Sequence, residues 1–237
     1  MTVSTLAVTY VDITKYVAVF AGWDITEANW TTGQIADFGL ILEKGLRRFY
    51  FPPVAPGEPR YEWAFLNLIG TLATVKDQEY ADIVEDTFSG QIRSDSVMHQ
   101  INDEERRLQV ADFSDIRAAN AKLATADVTA APLYYALIAQ TPTYTAQQRW
   151  RMYFHPIPDA VYTLEYEYVA MPNVITSTNK YPAGGDKFGD VILEAILAAA
   201  EEHLDDDIQG VHATRFQELL TAAMRLDAET KSNKETR

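Results

Sequence analysis

Two short segments of alternating residues constrain the fold of this chain more than any other feature of its sequence. The segment RWRMYF at 149–154 places Trp150, Met152 and Phe154 on one side, and YTLEYEY at 162–168 alternates in the same way. Side chains point to opposite faces along a β-strand, so each segment is predicted to be a strand with one buried face. The chain must therefore contain β-sheet that is covered by apolar side chains on one side.

The charged side chains on the opposite face of these strands predict how the strands pair. The link between them, HPIPDA, contains two prolines, and a turn centred there pairs Arg151 with Glu165 and Arg149 with Glu167. Opposite charges across neighbouring strands stabilise an antiparallel pair. A register shifted by one residue would set polar side chains against apolar ones. We therefore predict an antiparallel hairpin in this register.

Both ends of the chain have the apolar spacing of three and four residues that is typical of amphipathic helices. In the second of these segments the apolar residues run from Ile35 through Phe38, Leu42 and Leu46 to Phe49, which predicts one buried seam. Four helices are predicted: one over 12–21 that ends at Gly22, one with Thr31 or Thr32 as its N-cap, one over 188–205, and one after Gly210.

Clusters of proline and glycine separate these helical ends from the middle of the chain. The segment PPVAPGEPR at 52–60 ends the second helix because proline lacks a backbone amide, and TSTNKYPAGGD at 176–186 is a loop. We predict an α+β fold in which residues 1–60 and 174–237 form a helical bundle and residues 61–173 form an inserted antiparallel β-rich domain. Further strands are predicted at 80–84, 97–101, 106–110 and 134–139, with a short helix at 113–123.

The chain is acidic, since 34 Asp and Glu residues against 20 Lys and Arg residues give a net charge of −14. The excess is concentrated around residues 77–86 and around residues 201–207. No basic stripe is present to neutralise phosphates, so strong binding to nucleic acid is not expected. The acidic blocks fit a solvated surface, or a surface past which nucleic acid moves without binding.

The sequence contains no motif that indicates catalysis or metal binding. It has no cysteine, and its four histidines lack metal-ligand spacing. The acidic run at 205–207 fails as a calcium loop because Phe216 stands where a bidentate Glu is needed, and no phosphate loop or nucleophile elbow is present. We predict a protein that is not an enzyme and that holds no metal or cofactor. The lack of a long apolar run predicts no membrane span and no signal peptide.

Three separated segments carry a resemblance to a known family. They are ILEKGLRRFYFPP with YEWAFL, QRWRMYFHPIPDAVYTLEYEYVAMP, and the stretch that starts at YPAGGDKFGD and ends at RFQELLTAAMRLD. In this order they resemble the head-to-tail adaptor proteins of tailed bacteriophages, especially the short-tailed kind, over about residues 31–227. The resemblance implies a structural protein of the virion neck that is made in the host cytoplasm.

The resemblance also implies the partners. Related adaptors form a ring, commonly of twelve copies, that binds beneath the portal protein, extends the DNA channel and docks tail or nozzle proteins. Genome DNA would pass through without specific binding, and the C-terminal segment, residues 228–237 here, would reach toward the portal. The alternatives are another neck component, such as a head-completion or tail-terminator protein, or an acidic hydrolase or carbohydrate-binding protein that uses the aromatic side chains of the middle domain.

Charged residues are the candidates for contacts between neighbouring copies in such a ring. Arg47, Arg48 and Arg60 are expected to face the acidic residues of a neighbour, unless they are simply solvated charges at a helix end. The acidic candidates are Glu201, Glu202, Asp205, Asp206 and Asp207.

Overall fold

A computed structural model of the chain describes residues 6–53, 60–84, 87–93, 95–101, 104–123, 129–141 and 148–235. The chain divides into two compact units: a helical unit, residues 1–66 and 172–237, and a β unit, residues 67–171. The predicted α+β class is confirmed. Residues 61–66, which we predicted to open the inserted domain, belong instead to the helical unit.

The described part of the chain contains five α-helices and nine β-strands. The α-helices are α1 (Tyr10–Ala21), α2 (Thr32–Tyr50), α3 (Phe113–Leu123), α4 (Gly189–Leu204) and α5 (Val211–Glu235). The strands are β1 (Asn67–Ala73), β2 (Tyr80–Ile83), β3 (Phe88–Ile92), β4 (Met98–Ile101), β5 (Glu104–Arg107), β6 (Gln109–Val110), β7 (Tyr134–Ala139), β8 (Trp150–His155) and β9 (Thr163–Ala170).

Helix α4 forms the centre of the helical unit, and α1, α2 and α5 each pack against it. Its sequence, GDVILEAILAAAEEHL, is apolar around most of the helix, which is the pattern of a helix buried on several sides. Ile192, Ala195, Ile196 and Ala199 are completely buried. The predicted helix over 188–205 is thus the core of the bundle.

The predicted C-terminal end of α1 and the predicted N-cap of α2 are confirmed, whereas α1 begins at Tyr10 and not at residue 12. Thr31 caps α2: its hydroxyl accepts a hydrogen bond from the amide of Gln34, whose side chain in turn accepts from the amide of Thr31. Gly22 ends α1 in the left-handed conformation, with φ of 67°. Ile35, which we predicted in the buried seam of α2, lies in the first turn of the helix and is 49% exposed.

The β unit is a sandwich of two sheets. One sheet has the order β1-β9-β4-β5, with β3 also paired to β9, and the other has the order β2-β8-β7-β6. The inner faces of the two sheets share one apolar core, which includes Met152 and Phe154 from β8 and Leu164, Tyr166 and Tyr168 from β9. The apolar faces predicted for the two strands are therefore confirmed.

The predicted hairpin between these two strands is wrong, because β8 and β9 lie in opposite sheets. Arg151 on β8 lies opposite Asp82 on β2 and not opposite Glu165. Glu165 lies opposite Thr71 on β1 and Met98 on β4. The apolar faces of two strands can meet because the strands lie in two facing sheets, and they need not be neighbours in one sheet. Here the proline-containing link carries the chain from one sheet of the sandwich to the other.

The second predicted charge pair, Arg149 with Glu167, is wrong for the same reason. Arg149 precedes β8 and is exposed, and its carbonyl accepts a hydrogen bond from the amide of Gln140 at 2.9 Å. Glu167 lies opposite Ile69 on β1, and Arg93 is its partner at 3.9 Å.

Candidate interaction surfaces

The described residues contain no group of three or more histidine, aspartate or glutamate side chains that could hold a metal ion. None of the helices among them is long and apolar enough to cross a membrane. The surface of these residues offers charged side chains and exposed apolar side chains to other molecules.

Helices α2 and α4 are joined by ion pairs that use two of the predicted interface residues. Glu202 on α4 pairs with Arg48 and, at 2.8 Å, with Lys44, both on α2. Burial lowers the pKa of Arg48, and burial together with the charge of Arg48 lowers the pKa of Lys44. Arg48 and Glu202 do meet as opposite charges, but they meet within one chain.

Glu201, another predicted interface residue, is 7% exposed and serves the fold. Its carboxylate accepts hydrogen bonds from the backbone amides of His212 at 3.0 Å and Ala213 at 3.2 Å, at the start of α5. A carboxylate at a helix N-terminus satisfies amides that have no partner within the helix and interacts favourably with the helix dipole. Gly210 leaves room for this side chain, since a Cβ there would collide with the carboxylate.

The remaining predicted charges are exposed. Asp205, Asp206 and Asp207 form the turn between α4 and α5, and all three are exposed. Asp206 has a positive φ of 55°, and the Asp207 carboxylate accepts a hydrogen bond from the amide of Gln209 at 3.0 Å. Arg60 is exposed as well. The side chain of Arg47 is 72% exposed and pairs with Glu43 one turn away at 3.0 Å.

Apolar side chains are exposed on α1 and α2. Val11, Tyr16 and Val19 on α1 are 47%, 54% and 70% exposed, and Ile35 and Leu40 on α2 are 49% and 57% exposed. Exposed apolar side chains of this kind are candidates for a contact with another molecule.

Sequence reasoning missed an ion pair on the outer face of the β unit. Arg151 donates to both carboxylate oxygens of Asp82, at 2.6 and 3.2 Å, and its guanidinium lies 3.8 Å from the centre of the Tyr80 ring. The hydrogen bond from Arg151 holds the pKa of Asp82 below its usual range. Asp82 shares the outer face of β2 with Tyr80 and alternates with the buried Ala81 and Ile83, on a strand that was predicted, so its outward direction was already available from the sequence.

A buried carboxylate on α5 was also missed. Asp227 is 2% exposed and accepts hydrogen bonds from the Tyr61 hydroxyl at 2.9 Å and the Ala64 amide at 3.1 Å. Lys231, one turn along the helix, lies 3.2 Å from the same carboxylate. Burial and this hydrogen bond raise the pKa of Tyr61. These contacts fix the segment that follows the proline cluster onto α5.

A comparison with protein families identifies a match over most of the chain. A family model described as SU10 adaptor protein matches residues 59–236, which include the whole β unit, α4 and α5. Helices α1 and α2 precede the matched range. No curated protein matches the chain.

Proposed function

The chain belongs to the SU10 adaptor protein family, a family of phage head-to-tail adaptors, and on this premise we propose that it assembles as a ring beneath the portal protein. The family match over residues 59–236 is the observation that carries the proposal. The ring, of twelve copies, extends the DNA channel of the portal and gives tail or nozzle proteins a surface on which to dock.

The contact between neighbouring copies uses exposed apolar side chains of α1 and α2. A cyclic ring needs two different surfaces on each copy, because each copy contacts one neighbour with one surface and the next neighbour with another. Tyr16 and Val19 share one exposed side of α1, and Leu40 is exposed on α2, so the two helices supply such a pair. In this arrangement Tyr16 and Val19 of one copy pack on Leu40 of the next.

Charges add specificity to this contact. Arg47 and Arg60 of one copy face Asp205, Asp206 and Asp207 of the next, and all five are exposed. Complementary charges at the rim of an interface mainly set the rate and orientation of association. Arg48, Glu202 and Glu201 have partners within the chain and are not part of this contact.

The acidic character of the protein suits a channel through which DNA moves. A net charge of −14 repels phosphates, and a surface that lacks a basic stripe does not hold the DNA backbone. Genome DNA therefore passes through the ring without specific binding.

Sedimentation velocity of the protein with and without the portal of the same phage tests this proposal. We expect the two proteins to sediment together as one complex with one adaptor copy per portal subunit. Asp206→Lys should weaken assembly of the ring, whereas Asp112→Lys, which makes the same change at an exposed position before α3, should not. Separate sedimentation of adaptor and portal at all mixing ratios would contradict the proposal.

A further inference from the structure

Helix α5 carries a second apolar row that the described part of the chain leaves partly exposed. The buried side of the helix presents Phe216, Leu220, Ala223 and Asp227, spaced by four, three and four residues. A parallel row of Leu219, Ala222 and Leu226, spaced by three and four residues, faces outward. Leu219 is 36% exposed and Leu226 is 39% exposed. The outer row has the spacing with which one helix packs against another.

Four exposed charges accompany this row, and their signs alternate around Ala222. They are Arg215, Glu218, Arg225 and Glu229. Within the described part of the chain, Glu218 and Arg225 make no ion pair. Arg215 reaches Glu194 at 3.9 Å while its side chain stays 61% exposed. We name the three apolar residues and these four charged residues the α5 outer face.

We propose that, before any ring assembles, the chain forms a two-fold dimer in which the α5 outer faces of two copies pack antiparallel and cross at Ala222. With a rise of about 1.5 Å per residue, Leu219 lies about 4.5 Å before Ala222 and Leu226 about 6 Å after it. The antiparallel arrangement reverses the second helix, so Leu219 of one copy meets Leu226 of the other. Ala222 at the crossing lets the two helices approach closely.

The same reversal brings opposite charges together. Glu218 lies about 6 Å before Ala222 and Arg225 about 4.5 Å after it, so each Glu218 meets Arg225 of the other copy. Arg215 and Glu229 lie about 10.5 Å on either side of Ala222 and meet in the same way. The two-fold axis makes each of these pairs occur twice, so the charges of the outer face are self-complementary.

The direction of each side chain separates the contact into two layers. At about 100° per residue, both leucines lie about 40–60° to one side of Ala222, and Glu218 and Arg225 lie about 40–60° to the other side. The two-fold axis passes between the two Ala222 residues and is perpendicular to both helices. It therefore places the leucine sides of the two copies next to each other, and likewise their charged sides. The leucines, which are on the side nearer the buried row of α5, form an inner apolar layer, and the charges form an outer rim.

A parallel arrangement does not have this complementarity. In a parallel pair of α5 helices in register, Glu218 would approach Glu218 and Arg225 would approach Arg225, which is unfavourable. The antiparallel contact closes after two copies because both copies use the same surface. It is thus distinct from the contacts of a ring, does not rest on them, and would have to open if a ring used this face.

Cysteine trapping tests the register of the dimer, because the chain contains no cysteine. In the full-length protein, Ala222→Cys places two thiols beside each other at the crossing. Gln217→Cys is the matched control, since Gln217 is exposed on the same helix about 140° away from Ala222. Under mild oxidation we expect Ala222→Cys to give mostly disulfide-linked dimer and Gln217→Cys to give little. Equal cross-linking of both variants, or none of either, would overturn the proposal.

Charge reversal tests the pairing independently by sedimentation equilibrium of the protein without portal. Glu218→Arg and Arg225→Glu should each weaken dimerisation at least tenfold, and the double variant should return the dissociation constant to within about threefold of wild type. These residues are about 10.5 Å apart along their own helix, so recovery has to arise between copies. Gln217→Arg should leave the dimer unchanged. A wild-type protein that stays monomeric at all concentrations, or a double variant no better than the singles, would overturn the dimer without bearing on portal binding.

Discussion

The contact of α2 with α4 gives the sharpest prediction about stability. A methyl group on Gly45 of α2 would lie 2.5 Å from the Cα and 2.7 Å from the Cγ1 of Ile196 on α4. Carbon atoms in contact stay about 3.5–4.0 Å apart. Because the nearest atom belongs to the backbone of the central helix, Gly45→Ala must push the two helices apart by about 1 Å.

Gly39, on the same helix, is the matched control because a methyl group there would have no atom within 4 Å. Both substitutions gain the helix propensity of alanine, which is about 1 kcal/mol over glycine. Only Gly45→Ala adds the cost of overpacking, about 1–3 kcal/mol. The free energy of unfolding of the helical unit should therefore be about 1–3 kcal/mol lower for Gly45→Ala than for Gly39→Ala.

Urea unfolding followed by far-ultraviolet circular dichroism, which reports on the helices, measures this difference. Gly39→Ala should be slightly more stable than the wild type, and Gly45→Ala should fall clearly below Gly39→Ala. Equal stability of the two variants would refute the close approach of α2 and α4 at Gly45 and the packing derived from it.

Three further predictions concern individual side chains. In double-mutant cycles on the free energy of unfolding, Arg151→Ala should couple to Asp82→Ala by about 1 kcal/mol and to Glu165→Ala by about zero, because only the first pair is in contact. Coupling to Glu165 and not to Asp82 would contradict this pairing and support the hairpin. His99 is 3% exposed in the β unit, where burial and then the charge of a nearby arginine lower its pKa. In the unfolded chain the imidazole of His99 binds a proton near pH 6.5, whereas in the folded chain it does so only at lower pH. The contribution of the neutral side chain to the free energy of unfolding of the β unit is therefore fully present above about pH 6.5 and declines as the pH falls from there toward the lowered pKa. Urea midpoints measured across this range should show that His99→Phe loses that part of the decline, and an unchanged pH profile would refute it. Glu201→Ala should lower the free energy of unfolding of the helical unit by about 1–3 kcal/mol because α5 amides lose their acceptor, and Glu201→Gln, which keeps an acceptor, should cost less; equal loss in denaturation experiments would contradict the capping role.

The sequence predicted the helices and strands correctly where residues close in sequence determine the local structure. The bounds of α3 and β7, Phe113–Leu123 and Tyr134–Ala139, are those predicted, and Thr31 caps α2 as expected. Alternation also predicted the buried faces of β8 and β9 correctly. It could not predict their partners, because alternation tells which side of a strand is buried and not which strand lies beside it.

Two strands were missed because glycine hides their pattern. Gly70 interrupts β1 and Gly90 interrupts β3, so neither segment shows a full row of apolar side chains. In the structure the ring of Tyr166 lies over Gly70 and the ring of Trp150 lies over Gly90. The aromatic side chain from another strand fills the space, and that long-range contact is not visible in either local segment.

The candidate charges show the same limit. The sequence identified Arg48 and Glu202 as members of opposite charge clusters, and the fold brings them together within one chain. Nothing in the acidic run distinguished Glu201 from its neighbours, although Glu201 is buried and caps α5 while Asp205 is exposed. Exposure depends on how α4 and α5 meet, which the local sequence does not determine.

Electron cryomicroscopy of the protein mixed with the portal of the same phage tests the central claim most directly. We expect an added ring of twelve copies immediately beneath the portal, with one adaptor per portal subunit and a continuous central channel. A portal that shows no added ring in the presence of excess protein would contradict it.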